Sequence, residues 1–283
     1  MSRIIALIDG SVYSESVCDH AAWAAQRVGV AVELVHVLGR REVGVVSADL
    51  SGSIGLGART QLLEELAELD GQRAKLAQKR GRAILDAAHE RLAATGVTVT
   101  ERLRNGDLVE TVQELEPDAR LVIIGKRGEA ADFAKLHLGS NLERVVRVCK
   151  KPVLVANRAF REPRKYLIAF DGGNSSMRAV DMASRSPFFT GLEAHILTVG
   201  PDTVENRRNI EGAVAMLSAS GAPVISGIEA GQPEERISAY VEREGIDLLV
   251  MGAYGHSRIR SLIIGSTTSE MVRSCKVPVL MFR

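Results

Sequence analysis

Three cysteines, Cys18, Cys149 and Cys275, are spread over 283 residues. They are too few and too scattered for a disulfide framework or a zinc site, and buried small hydrophobes describe them better than redox chemistry. Long apolar runs are also missing. None is long enough to span a bilayer, and the opening run Ile4–Ile8 breaks at Asp9 after five apolar residues. That pattern argues against a signal peptide and points to the cytoplasm. An excess of either charge is absent. With a formal net charge of +1, nothing electrostatic calls for nucleic acid or a membrane as the main partner. Catalytic signatures are lacking as well: there is no Gly-x4-Gly-Lys-[Ser/Thr], no His-Glu-x2-His and no nucleophile elbow, and no base is evidently placed to activate water.

What remains is a soluble globular composition, 46% apolar and 25% charged, at a length suited to two ordinary domains. Arg3–Ile8 reads as a buried strand ending in Asp9-Gly10-Ser11. Ser14–Val28 reads as a helix with Val17, Ala21, Ala24, Ala25 and Val28 on one face. Val30–Leu38 is the next strand. Gly39–Ala58 is rich in Gly, Ser and Val without periodicity and reads as an insertion, either a lid or a partner-contacting loop. Thr60–Ala94 reads as one long helix carrying Leu62, Leu66, Leu69, Leu76, Ile84 and Leu92, a stripe expected to cover the sheet while the far end projects. Strand Val97–Leu103, helix Asp107–Leu115, strand Leu121–Ile124, helix Asn141–Val148 and strand Pro152–Ala156 follow. Strands alternating with helices indicate a parallel sheet covered on both faces.

The order then restarts. Tyr166–Phe170 leads into Asp171-Gly172-Gly173 as Ile4–Ile8 leads into Asp9-Gly10-Ser11. Val148–Leu154 (VCKKPVL) returns as Ser274–Leu280 (SCKVPVL), and Gly106-Asp107 is matched by Gly231-Gln232. The chain therefore reads as a tandem duplication, with units at 1–157 and 165–283 and a polar linker at 158–164.

One stretch carries chemistry. The run Asp247–Met251 suits a buried strand, and it is followed by Gly252-x2-Gly255, nine residues, then Gly265-Ser266-Thr267 opening a helix. Glycines let a backbone approach a ligand, and the N–H groups of a helix start favour anions. The pattern thus points to phosphate or nucleotide, the alternative being glycines that only make turns. The first unit spaces its glycines differently: Gly125-x2-Gly128, ten residues, then Gly139-Ser140, with Glu129 and Asp132 adding negative charge inside the loop. If one unit holds nucleotide, the second is favoured. His256, Arg258 and Arg260 lie close by, either facing a phosphate or simply exposed.

These residues resemble the universal stress protein family, whose signature Gly-x2-Gly-x9-Gly-[Ser/Thr] is matched by Gly252, Gly255, Gly265 and Ser266. The strand-one aspartates Asp171 and Asp9 and the closing Lys-x-Pro-Val-Leu at 276–280 and 150–154 also fit, so the likeness covers the chain twice. The resemblance is to a tandem member. It implies, per unit, a five-stranded parallel open sheet flanked by helices, a Rossmann-like, adenine nucleotide alpha hydrolase-like α/β fold. In one branch of the family it implies bound ATP; members with degraded glycine signatures bind none. Carried over, it gives Asp171 the ribose or metal (Mg2+ or Mn2+) end of an ATP site and Val199 the adenine edge. Met251 would line the base pocket, and Gly252, Gly255, Gly265, Ser266 and Thr267 would hold the phosphates. The first-unit counterparts are Asp9, Val37, Ile124, Gly125, Gly128, Gly139 and Ser140. A stress-associated regulator with at most slow hydrolysis or autophosphorylation is the expected function. The alternative is a nucleotide-free interaction protein with an unknown protein partner. Single-unit relatives commonly dimerise through the last strand, so an intramolecular pseudo-dimer is expected, with a homodimer possible beyond it.

Overall fold

The computed structural model describes residues 2–39, 56–128, 140–219, 221, 223–253 and 271–283, with the backbone alone at 56–61 and 140. The first half runs β1 (Arg3–Leu7), α1 (Ser14–Val28), β2 (Val32–Leu38), α2 (Leu56–Ala93), β3 (Val99–Asn105), α3 (Leu108–Leu115), β4 (Ala119–Gly125), α4 (Ser140–Val148) and β5 (Val153–Ala156). The second half runs β6 (Lys165–Ala169), α5 (Asn174–Arg185), β7 (Glu193–Val199), α6 (Val204–Ser218), β8 (Val224–Glu229), α7 (Pro233–Glu244), β9 (Leu248–Gly252) and β10 (Val279–Phe282). Residues 271–274 are helical. The anticipated alternation of strand and helix is present. Most of the insertion anticipated at Gly39–Ala58 lies outside the described residues; from Leu56 onward it already belongs to α2.

Each half orders its strands 3-2-1-4-5, and the whole forms one ten-stranded sheet, β3-β2-β1-β4-β5-β10-β9-β6-β7-β8. All neighbours within a half are parallel. The two five-stranded sets join where β10 pairs antiparallel with β5, Val279 facing Val155 and Met281 facing Val153. The strands are apolar on both faces because helices cover both. Along β1, Ile4 and Ala6 enter one apolar layer with α1, whereas Ile5 and Leu7 enter the other with α3 and α4. Both layers continue across the seam into the second half.

Local chemistry explains where several helices begin and end. α1 and α7 stop at Gly29 (φ 65°) and Gly245 (φ 66°), left-handed positions that cost a glycine nothing. Asp107 opens α3 by accepting hydrogen bonds from Val109 N at 2.8 Å and Glu110 N at 3.2 Å, which satisfies donors that the first turn leaves free. Long α2 departs from the expectation in one respect. Gly81, Leu85, Ala88 and Leu92 are the buried positions, and Gly81 sits so close that a Cβ there would be 2.8 Å from Leu103 Cδ1. Of the anticipated stripe, Leu69 and Leu76 do not cover the sheet; they are exposed, as is Leu63 beside them. Two overlapping apolar faces drift around one helix of 38 residues, and only the second meets strands.

The seam is closed by reciprocal contacts. Asn157, just after β5, donates its Nδ2 to the Lys276 carbonyl at 3.1 Å, and Arg283, just after β10, donates Nη1 to the Val148 carbonyl at 3.2 Å. Arg283 thereby caps the end of α4, and Asn157 holds the segment that follows the helical turn at 271–274. On the α1 face, Trp23 packs edge-on against Phe188 at 4.7 Å between ring centroids, and Arg27 Nε donates to the Phe188 carbonyl at 2.7 Å. Phe160, in the segment joining the halves, meets His20 edge-on at 4.9 Å.

His20 is fully buried, with Nδ1 2.7 Å from the Ser16 carbonyl and no partner for Nε2 among the described residues. Burial pushes its pKa down from 6.5 to about 4. As pH falls through that window the unfolded chain takes up a proton that the folded chain refuses, so stability drops with pH. The loss between those limits is about 3 kcal/mol. Urea unfolding at stepped pH is expected to show it, and His20→Gln is expected to flatten that segment of the profile. An unchanged slope in the variant would assign the acid sensitivity elsewhere.

Candidate functional site

In each half the strand order reverses between the first and fourth strands, β1 and β4 or β6 and β9. A parallel sheet opens a crevice beyond the carboxyl ends of its strands at such a point. Register brings the anticipated residues to it. Ala169 is level with Leu197 of β7 and Met251 of β9, so Asp171, Val199 and Gly252 lie at or just beyond three adjacent strand ends. In the first half Leu7 is level with Val35 and Ile124, which groups Asp9, Val37 and Gly125 in the same way. Val199 and Val37 are half-buried; Met251 and Ile124 are buried in the apolar layer. Gly139, Gly255, Gly265, Ser266 and Thr267 lie outside the described residues, as do Glu129, Asp132, His256, Arg258 and Arg260. Ser140 begins α4.

The two aspartates make the same local turn. Asp9 Oδ1 accepts from Ser11 N at 3.0 Å, and Asp171 Oδ1 accepts from Gly173 N at 2.9 Å. These are Asx turns that swing the chain from strand to helix. Asp171 Oδ1 also accepts from Ser176 Oγ at 2.6 Å, tying it to the first turn of α5, where a helix N-terminus favours a carboxylate. The side chain of Asp171 is exposed, and its Oδ2 makes no hydrogen bond among the described residues. In the first half Asp9 Oδ2 faces the glycine loop: a Cβ on Gly128 would stand 3.0 Å from it.

The first glycine of each loop has a packing reason of its own. A Cβ on Gly252 would come 2.8 Å from Ser175 Cβ and 3.3 Å from Ser176 N in the first turn of α5; on Gly125 it would come 2.7 Å from Tyr13 Cβ, just before α1. Bare Cα atoms let the fourth strand end directly beneath the helix that follows the first. The helix N–H groups then sit over the crevice, an arrangement suited to anions. Sequence reasoning found these glycines by spacing but missed Tyr13 and Ser175, which are distant in the chain.

Lys126 was also missed as an active group. It lies inside the Gly125–Gly128 loop, yet its Nζ crosses the seam to donate to the Cys275 carbonyl at 2.8 Å. The N–H of that same residue closes the helical turn at 271–274 on the Met271 carbonyl, so the amine sits at a helix end, which attracts a cation. Burial holds the Lys126 pKa below its ordinary 10.5. Among the described residues the amine's hydrogen bond is made to the other half of the molecule. The one signal in the sequence was asymmetry, since the second repeat has Ala253 there, buried. Cys18, Cys149 and Cys275 are buried free thiols. Burial pushes the first two up to about 12 and raises the third, which suits packing and not thiolate chemistry.

No group of three or more metal-ligating side chains occurs among the described residues, and no helix among them is long and apolar enough to cross a membrane. The family model that matches is that of the universal stress protein family, over residues 1–157 and 185–283. A universal stress protein of Synechocystis sp. is 37% identical over 287 aligned residues, covering 100% of both chains. One of Methanocaldococcus jannaschii is 30% identical over 81 residues, 29% of this chain and 50% of that protein. Among solved structures, a universal stress protein of Archaeoglobus fulgidus superposes with a TM-score of 0.75 at 22% identity, over 99% of this chain and 98% of that one. The likeness to that structure is one of fold.

The packing of Gly252 has a direct test. Gly252→Ala is expected to cost about 1–3 kcal/mol, since backbone or Ser175 must shift to admit the methyl. Gly71, inside α2 with nothing within 4 Å of its Cβ direction, is the control: Gly71→Ala is expected to be neutral or stabilising by up to about 1 kcal/mol. Urea denaturation measures both, and equal effects would contradict the packing explanation.

Proposed function

This chain belongs to the universal stress protein family, and we propose that it binds ATP, with Mg2+ or Mn2+, at the carboxyl ends of β6, β7 and β9. The observation that carries the reading is the convergence there of Asp171, with one carboxylate oxygen turned into the fold and the other without a partner among the described residues, and Gly252, whose bare Cα lets α5 start over the crevice. Those features fit a phosphate-bearing ligand with a bound cation. Asp171 would take the ribose or metal end, backbone groups of Val199 the adenine edge, and Met251 the wall behind the base. Gly252 with Gly255, Gly265, Ser266 and Thr267 would hold the phosphates. The ligand supplies phosphates and a metal charge; the chain supplies a shaped anion site and no group placed for fast hydrolysis.

The second half is favoured over the first. Asp9, Val37, Gly125, Gly128, Gly139 and Ser140 form the parallel set, but the lysine within that loop is directed to Cys275 and its glycine spacing is one residue longer. We read residues 1–157 and 165–283 as the two domains, 158–164 as their linker, and the whole as a cytoplasmic, stress-associated regulator. The exposed leucines of α2 favour a second reading, a nucleotide-free interaction protein.

Calorimetry with ATP and magnesium separates the two, after denaturing extraction to detect nucleotide carried through purification. One site per chain is expected, with affinity lowered about tenfold or more in Asp171→Ala and in Gly255→Val. Absence of binding, with no nucleotide in the extract, would leave the interaction reading.

A further inference from the structure

The amino-terminal half of α2 leaves the sheet carrying a leucine stripe. Leu63, Leu69 and Leu76 are 48%, 49% and 67% exposed, three of the six exposed large hydrophobics among the described residues. Leu62, Leu66, Leu69 and Leu76 recur at i, i+4, i+7 and i+14, one seam with the spacing that two helices use to pack knobs into holes. Continuing that seam reaches Arg73, which is exposed.

Charge along this segment is polarised. From Leu62 onward Glu64, Glu65, Glu68 and Asp70 come first; Arg73, Lys75, Lys79, Arg80 and Arg82 follow, with Arg59 lying ahead of both groups. Within the helix Arg73 meets Asp70 at 3.8 Å. Two such helices laid parallel would set acid against acid and base against base. Laid antiparallel, the acidic half of each lies against the basic half of the other, and the midpoint falls near Gly71–Gln72. A segment complementary to itself under a two-fold axis is the signature of an isologous contact.

We propose that the projecting half of α2 is a self-association surface, pairing antiparallel with the same segment of a second copy of this chain. The occupant is specified by this charge order. The leucines supply apolar area, the charges set direction, and the contact is independent of whether either crevice holds nucleotide.

Sedimentation equilibrium of the full chain over a range of concentrations tests this. A dimer is expected, weakening as salt rises. Leu69→Glu with Leu76→Glu is expected to raise the dissociation constant at least a hundredfold while the thermal melt of the monomer stays in place, since both side chains are exposed. Orientation is read by disulfide trapping. Gln72→Cys, near the midpoint, is expected to cross-link to its own copy. Leu62→Cys is not, because antiparallel pairing places the two copies of that residue about 28 Å apart. The buried native thiols do not compete. A wild-type monomer at every concentration, a dimer that survives the double substitution, or cross-linking through Leu62→Cys would each overturn the proposal.

Discussion

Antiparallel pairing of β5 with β10 is the contact on which the rest of the molecule depends. In either half alone the last strand would be a bare edge, apolar on both faces and open to pairing with any other chain. Here each edge is the other's partner. The pairing merges two five-stranded sets into one sheet, lets both apolar layers run from end to end, and puts Asn157 and Arg283 where each bonds a backbone carbonyl of the opposite half.

The same seam dictates where the two crevices lie. Strands are parallel within a half and the halves meet antiparallel, so the carboxyl ends of the two sets point in opposite directions. The candidate sites therefore occupy opposite ends of the sheet and share no residues. Each is bordered by the other half's last helix, and on the first-half side that border is a hydrogen bond, from Lys126 to Cys275. The amine of Lys126 thus stabilises the far half, and the second half carries Ala253, with no amine, at the matching place.

Much of the fold was legible in the sequence because its rules are local. Buried strands such as Ile4–Ile8 declare themselves by continuous apolar runs, helix starts by residues such as Asp107, and the duplication by the return of Asp-Gly after each first strand. What was not legible depends on partners far apart in the chain. Nothing near Gly252 names Ser175 as the atom group it must clear, and nothing near Lys126 names Cys275. The leucines of α2 misled for another reason: Leu69 and Leu85 share a helix and a hydrophobic pattern, but only the sheet's extent decides which of them is covered. The aspartates were ambiguous between turn and ligand, and Asp171 makes the turn with one oxygen while leaving the other exposed.

Native-state hydrogen exchange at the amides of Val153–Ala156 and Val279–Phe282 tests the seam most directly. If β5 and β10 hold both halves in one cooperative body, the amides bonded across the seam should exchange only by global unfolding, with the same opening free energy as the central strands β1 and β6. Seam amides that open at markedly lower free energy, while β1 and β6 stay protected, would show two halves that merely touch and would contradict the account.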